Sequence, residues 1–257
     1  MSLEKLGPTK AYISSLQVGS AITDAFAGFT AAAAAESTVD ITKLPEGIVT
    51  GSNLLQFANS PSAELRSSVA LSLLAAQRVA TNDKKVESPD EWVTRHNDVL
   101  TNLNWTVAGG GTVKRTFEST NVAVHEAILP FLEAALGGAG AASLILTAVK
   151  QLKEIDANKP WITLFDRESQ RFNVTEYQFS VVETVGLDTI MKIASARFDA
   201  TYGSTQVLFF KLTQLDAEFE SASSSLRANS SLLSAMNGDL ELKLAAHAKT
   251  FIRDLDI

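Results

Sequence analysis

The chain has 257 residues, 46% of them hydrophobic and 20% charged, enough to bury a sizeable core in one large domain or two small ones. Its formal net charge of −7 is spread without a basic block, which argues against nucleic acid and against binding anionic lipid by bulk electrostatics. There is no cysteine, so disulfides, thiolate catalysis and S-acylation are closed, and the three histidines, His96, His125 and His247, lie too far apart to suggest a metal site. In chain order, residues 1–35 hold an apolar stretch broken by Gln17 and Asp24, unlike a secretory signal, although Ala33 and Ala35 would suit a cleavage site. We read them as a helical or mobile extension before a single domain over 36–257.

Ser60 and Pro61 predict an N-cap with proline at the first helical position, followed by an apolar face of Leu65, Val69, Leu73 and Ala76. Ser88, Pro89, Asp90 and Glu91 predict a capping box and a helix that buries Trp92, Val99, Leu100 and Leu103. Residues 105–108 and 112–117 read as two short extended pieces around a glycine turn at 109–111, since no GK[ST] or GxGxxG pattern marks a phosphate loop. Val124, Ala127, Ile128, Phe131, Leu132, Ala135 and Leu136 form a helical stripe, in which Pro130 either kinks the helix or marks its start. Gly137, Gly138 and Gly140 stop it, and Leu144, Ile145, Ala148, Val149 and Leu152 resume the period. Residues 121–154 therefore read as a helical hairpin with a glycine hinge rather than a membrane span.

After Pro160 the period becomes two, with Tyr177, Phe179 and Val181 alternating with Glu176, Gln178 and Ser180. Residues 190–202 and 205–220 are also extended in pattern, and 206–210, QVLFF, is apolar on both faces, as a strand covered on both sides would be. Asp166 and Glu168, beside Arg167, read as solvated ion pairs in a loop, and the serines of 221–231 as another loop. A final helix carries Leu240, Leu244, His247, Ala248, Phe251, Ile252 and Leu255 on one face. Helices flanking long strands joined by short turns predict an α+β fold: a three-layer α/β/α sandwich whose central sheet is mainly antiparallel.

The order Trp161-Ile162, Asn173, Tyr177, Phe179, Ile190-Met191, Phe198-Asp199 and QVLFF at 206–210 resembles the C-terminal half of the Cyt-type δ-endotoxins. The helix–glycine–helix segment at 129–153 is similar to the hairpin that precedes their long strands. The resemblance implies the cytolysin fold shared with volvatoxin and an Erwinia virulence factor, with a central sheet wrapped by helical hairpins. It implies direct binding of membrane lipid without a protein receptor, a helical layer that swings aside, and strands that reach the bilayer and self-associate there. The cysteine of some relatives falls near Ile193 here, which closes the acylated mode.

On this reading the chain is a membrane-active toxin or virulence protein and not an enzyme, with neither cofactor nor metal. It is released from its producing cell and is soluble until it meets a membrane, where neutral phospholipid is its partner. The residues expected to contact lipid are Trp161, Tyr202, Val207, Phe209 and Phe210; Trp161 also reads as an ordinary core tryptophan. A non-lytic lipid or fatty-acyl carrier on the same fold is the alternative, and it requires an enclosed apolar cavity.

Overall fold

In the computed structural model, which describes residues 6–21, 32, 35, 40–117, 122–123, 128–154, 160–199, 211–212 and 217–254, local capping chemistry sets several helix boundaries. The expected capping box starts helix α3 (Pro89–Asn102): Ser88 Oγ accepts from the Glu91 N–H at 3.3 Å. The reciprocal arm reaches one residue further back, as Glu91 Oε2 accepts from the Glu87 N–H at 2.8 Å. The preceding helix α2 (Ala63–Asn82) is capped by Ser62 and not by Ser60. Asn59 and Ser60 take positive φ, at 61° and 41°, whereas an N-cap needs extended backbone, so the cap moves two residues on. Residues 67–80 of α2 are buried all round, and its serines and alanines allow neighbours on every side to approach.

Pro130 marks the true start of α4 (Leu129–Leu136), so the helical stripe begins later than its periodicity suggests. Val122–Ala123 is instead a short strand, β4, paired with β8 (Lys211–Leu212); Val124 and Ala127 lie outside the described residues. Gly137 ends α4 with φ +86°, the left-handed conformation a side chain resists, and the Gly138 N–H returns to the Glu133 carbonyl at 2.9 Å. Helix α5 (Ala139–Glu154) completes the hairpin.

The main sheet runs in the order β10 (Ile252–Asp254), β1 (Gly47–Thr50), β2 (Asn53–Phe57), β6 (Val174–Val185), β7 (Asp188–Asp199), β9 (Ala217–Asn229), β3 (Thr106–Phe117), with β5 (Gln170–Arg171) beside β6. Every pair is antiparallel except β2 with β6. The α4–α5 hairpin covers one face, and α2, α3, α7 (Ser230–Ala235) and α8 (Asn237–Phe251) cover the other. The fold is therefore the expected three-layer α/β/α sandwich. At the N-terminus, α1 (Leu6–Ser15) lies against α8, and Ile13, Leu16 and Val18 join the same core as the sheet.

Four local expectations are corrected. Gly109, Gly110 and Gly111 do not turn; they sit inside one continuous strand, β3, with a register shift between Val107 and Gly110. A Cβ at Gly110 would lie 2.3 Å from the Ser223 carbonyl oxygen, so the glycine permits close strand approach rather than a bend. The serines at 221–225 are not in a loop but in β9, because pairing on both sides overrides their weak strand preference, and Ser230 and Ser231 begin α7. Asp166 and Glu168 belong to helix α6 (Pro160–Glu168) and are largely buried: Asp166 accepts from the Tyr177 hydroxyl, and Glu168 pairs with buried Arg78 at 3.1 Å. Ile252 leaves the last helix to pair with Thr50 as part of β10, while Leu240, Leu244, His247, Ala248 and Phe251 are buried on α8 as expected.

Candidate functional site: a sheet with two unlike faces

Side chains alternate across a strand, so the register of β6, β7 and β9 divides the sheet into two chemistries. Tyr177, Ala196 and Ser221 stand opposite one another, as do Phe179, Ala194 and Ser223. These rows lie beneath α4, where Phe131, Leu132 and Ala135 meet Ala194, Ala196, Ser221 and Ser223 around a cavity of about 130 Å³. Leu132, Leu136, Ala142, Ile145, Ala148 and Val149 bury the rest of the hairpin's apolar side. Helix α4 thus rests on a floor of alanine and serine, with a cleft beside it.

One residue along each strand, the opposite face is polar over two rows, before Ile193 and the row of Val182, Met191 and Leu226 make it apolar. Glu176, Arg197 and Glu220 form one row, Gln178, Ser195 and Ala222 the next. Arg197 Nε donates to Glu176 Oε2 at 3.0 Å and Nη1 donates to Asp90 Oδ1 of α3 at 2.9 Å, with Glu220 Oε2 at 3.6 Å. Burial alone would lower the pKa of Arg197, but Glu176 and Asp90 outweigh it and raise it. This guanidinium ties the first turn of α3 to three strands. Between α3 and this face lies a cavity of about 360 Å³, bordered by Asp90, His96, Glu176, Ser195, Arg197 and Glu220 among others.

His96 is stacked on Trp92 with ring centroids 5.1 Å apart, and burial pushes its pKa down to about 4. His247 is shifted in the same direction by burial, with the charge of Arg78 adding to it. A histidine with a folded pKa below its unfolded value near 6.5 contributes nothing adverse above that pH. As pH falls from about 6.5 towards 4, only the unfolded chain takes the proton, and stability is lost. Thermal melts should therefore fall steeply across this window, by up to about 3 kcal/mol from His96, and His96→Gln should flatten the slope relative to wild type. Parallel pH profiles for the two chains would contradict the assignment.

The expected hinge glycines fall together at the hairpin junction: Gly137 and Gly138 link α4 to α5, and Gly140 lies in the first turn of α5. Trp161 lies in α6, not in a strand, and Tyr202, Val207, Phe209 and Phe210 lie outside the described residues. The Arg197 cluster was not anticipated. Its signal was Glu176 and Arg197 at alternating positions of strands expected to be covered on both sides, where a buried charge needs a partner. Among the described residues, no helix is long and apolar enough to cross a membrane, and no three His, Asp or Glu side chains gather as a metal site.

No protein-family model and no curated protein sequence matches the chain. Solved structures similar to it include the following three. The Evf virulence factor matches at 11% identity over 96% of this chain and 91% of that one, with a TM-score of 0.36. A δ-endotoxin matches at 15% identity over 70% of this chain and 84% of that one, with a TM-score of 0.36. The activated Cyt2Ba monomer from Bacillus thuringiensis subsp. israelensis matches at 15% identity over 69% of this chain and 96% of that one, with a TM-score of 0.37. These are proteins of the kind that the strand motifs resemble, and similarity of this size assigns no role to any residue.

Proposed function

We propose that the chain is a membrane-active toxin or virulence protein that is released from its cell in soluble form, binds neutral phospholipid directly and opens the bilayer with its strands. One observation carries the reading. β3, β6 and β7 have 12 residues each and β9 has 13, against the five or six of an ordinary strand and the roughly 9–11 that cross a bilayer. In the rows of Tyr177 and Phe179 the face under the hairpin is apolar or small, and in the rows of Glu176 and Gln178 the face under α3 is mainly polar; further along, Glu183, Lys192 and Arg227 fall on the hairpin's face and Val182, Met191 and Leu226 on the other. Such alternation suits a membrane barrel, with apolar residues towards lipid and polar ones towards water.

Lifting the α4–α5 hairpin would present Tyr177, Phe179, Ala194 and Ala196 to hydrocarbon, at a gain of about 25 cal/mol per Å² of apolar surface. Unpaired backbone groups in lipid cost several kcal/mol each, so the inserted strands must close by pairing between copies. The reading is not of an enzyme: the buried charges Arg78 with Glu168, and Arg197 with Glu176, fasten elements together. Among the described residues, the space under the hairpin is below the roughly 300 Å³ at which ligand pockets begin, and the cavity beneath α3 carries four charged side chains, so neither is the wholly apolar cavity a carrier needs.

Single cysteines at Ala194, Ser195 and Ala196, each carrying an environment-sensitive fluorophore, test the proposal on phosphatidylcholine vesicles. Positions 194 and 196 should shift to an apolar environment and be quenched from within the lipid, while 195 stays in water. Uniform behaviour at all three positions would contradict insertion as an amphipathic sheet.

A further inference from the structure

The turn between β6 and β7 carries an unusual side chain for a solvated loop. Gly186 and Leu187 alone join Val185 to its partner Asp188. Gly186 takes φ +63°, as the first position of a type II′ turn requires, and the second position most often holds Asn, Asp or Ser. Here it holds Leu187, which is 76% exposed, and Val185 beside it is 53% exposed. The other exposed large apolar residues of the described chain stand singly in the sequence, as Leu242 does on α8, and single ones are ordinary. The turn is also fitted to leave water. Its Leu187 carbonyl accepts from the Ser230 N–H at 2.9 Å and from Asn229 Nδ2 at 3.3 Å, whereas an unpaired carbonyl would resist the transfer. On the flanking strands, Glu183 faces Lys192 at 3.9 Å and Asp188 faces Arg227 at 3.7 Å, so the four charges cancel. A Cβ at Gly137 would lie 2.8 Å from Lys192 Nζ, which places the α4–α5 junction over β7 at Lys192. The turn lies further along the strand and projects past that junction.

Whatever meets this tip must accept a small, convex, apolar wedge and supply no countercharge. A stable protein interface takes about 20–30 residues a side, far more than a two-residue turn offers. A phospholipid surface needs no shape complementarity, and a zwitterionic one needs no net charge. We propose that the β6–β7 turn is where the protein first docks on a zwitterionic phospholipid surface, with Leu187 and Val185 reaching below the headgroups. This docking rests on the reading that the chain acts on neutral phospholipid, but it needs no strand to insert.

Flotation of the full chain with phosphatidylcholine vesicles tests it. Leu187→Asn puts a turn-forming side chain at this position and should weaken binding about tenfold, as the loss of one leucine's transfer from water implies. Val185→Thr keeps the branched shape, should weaken binding several-fold, and carries the test if Leu187→Asn does not fold. Leu242→Asn removes a leucine that is 87% exposed on α8 and should leave binding at the wild-type level. Loss of binding in Leu187→Asn, together with uniform fluorophores at 194, 195 and 196, would keep the docking turn and remove the inserted sheet. Wild-type binding by both turn variants, or an equal loss in Leu242→Asn, overturns the docking turn and leaves the inserted sheet standing. A vesicle-free dimer that Leu187→Asn dissociates would make the turn a contact between copies and overturns it too. Absence of wild-type binding overturns both the docking turn and the reading on which it rests.

Discussion

Replacing Arg78 by methionine should destabilise the protein by about 3–5 kcal/mol and lower its melting temperature by roughly 10 °C. Arg78 is 1% exposed and fastens several elements at once. Its Nη1 pairs with Glu168 of α6 at 3.1 Å, its Nη2 donates to the Ser20 carbonyl at 3.3 Å, and its guanidinium lies 4.5 Å above the Phe251 ring of α8. Burial holds its pKa down, and the carboxylate of Glu168 opposes that shift. Methionine fills much of the same volume but leaves the Glu168 carboxylate largely buried without its counter-charge. Such a removal is far more damaging than neutralising both partners together. The double variant Arg78→Met with Glu168→Gln should therefore recover part of the loss in urea unfolding. Equal stability of Arg78→Met and wild type would mean that this ion pair does not hold α6 and the N-terminal segment to the helical layer.

How far the architecture was legible depended on whether its determinants were local. The capping box at Ser88, the glycine stop after Leu136 and the alternation of Tyr177, Phe179 and Val181 are each written within a few residues, and each element stands where its pattern put it. The misread segments took their structure from distant partners. The serines of β9 look like a loop until β7 and β3 pair with them, and Gly110 looks like a turn until the Ser223 carbonyl is seen against it. Asp166 and Glu168 look solvated until Tyr177 and Arg78 meet them.

The candidate site follows the same rule. Alternation within β6 was visible, but the joining of Glu176, Arg197 and Glu220 with Asp90 depends on strand register and on the placement of α3, which no local pattern encodes. The apolar run at 206–210, expected to contact lipid, lies outside the described residues, so β6, β7 and β9 are the strands assigned to the membrane instead.

Insertion of these strands requires the α4–α5 hairpin to leave the sheet. Ala135 on α4 and Ala196 on β7 border the same cleft, and the chain has no cysteine, so a pair introduced at these two positions has no competing thiol. A disulfide there joins the hairpin to the face it must uncover. Dye leakage from phosphatidylcholine vesicles, measured with Ala135→Cys/Ala196→Cys before and after reduction, is the most direct test. The oxidised protein should leak at least tenfold less than the reduced protein, and each single-cysteine variant should be indifferent to the reductant. Equal leakage by the oxidised and reduced double variant would mean that the hairpin stays in place and that the covered strands are simply the interior of a stable fold.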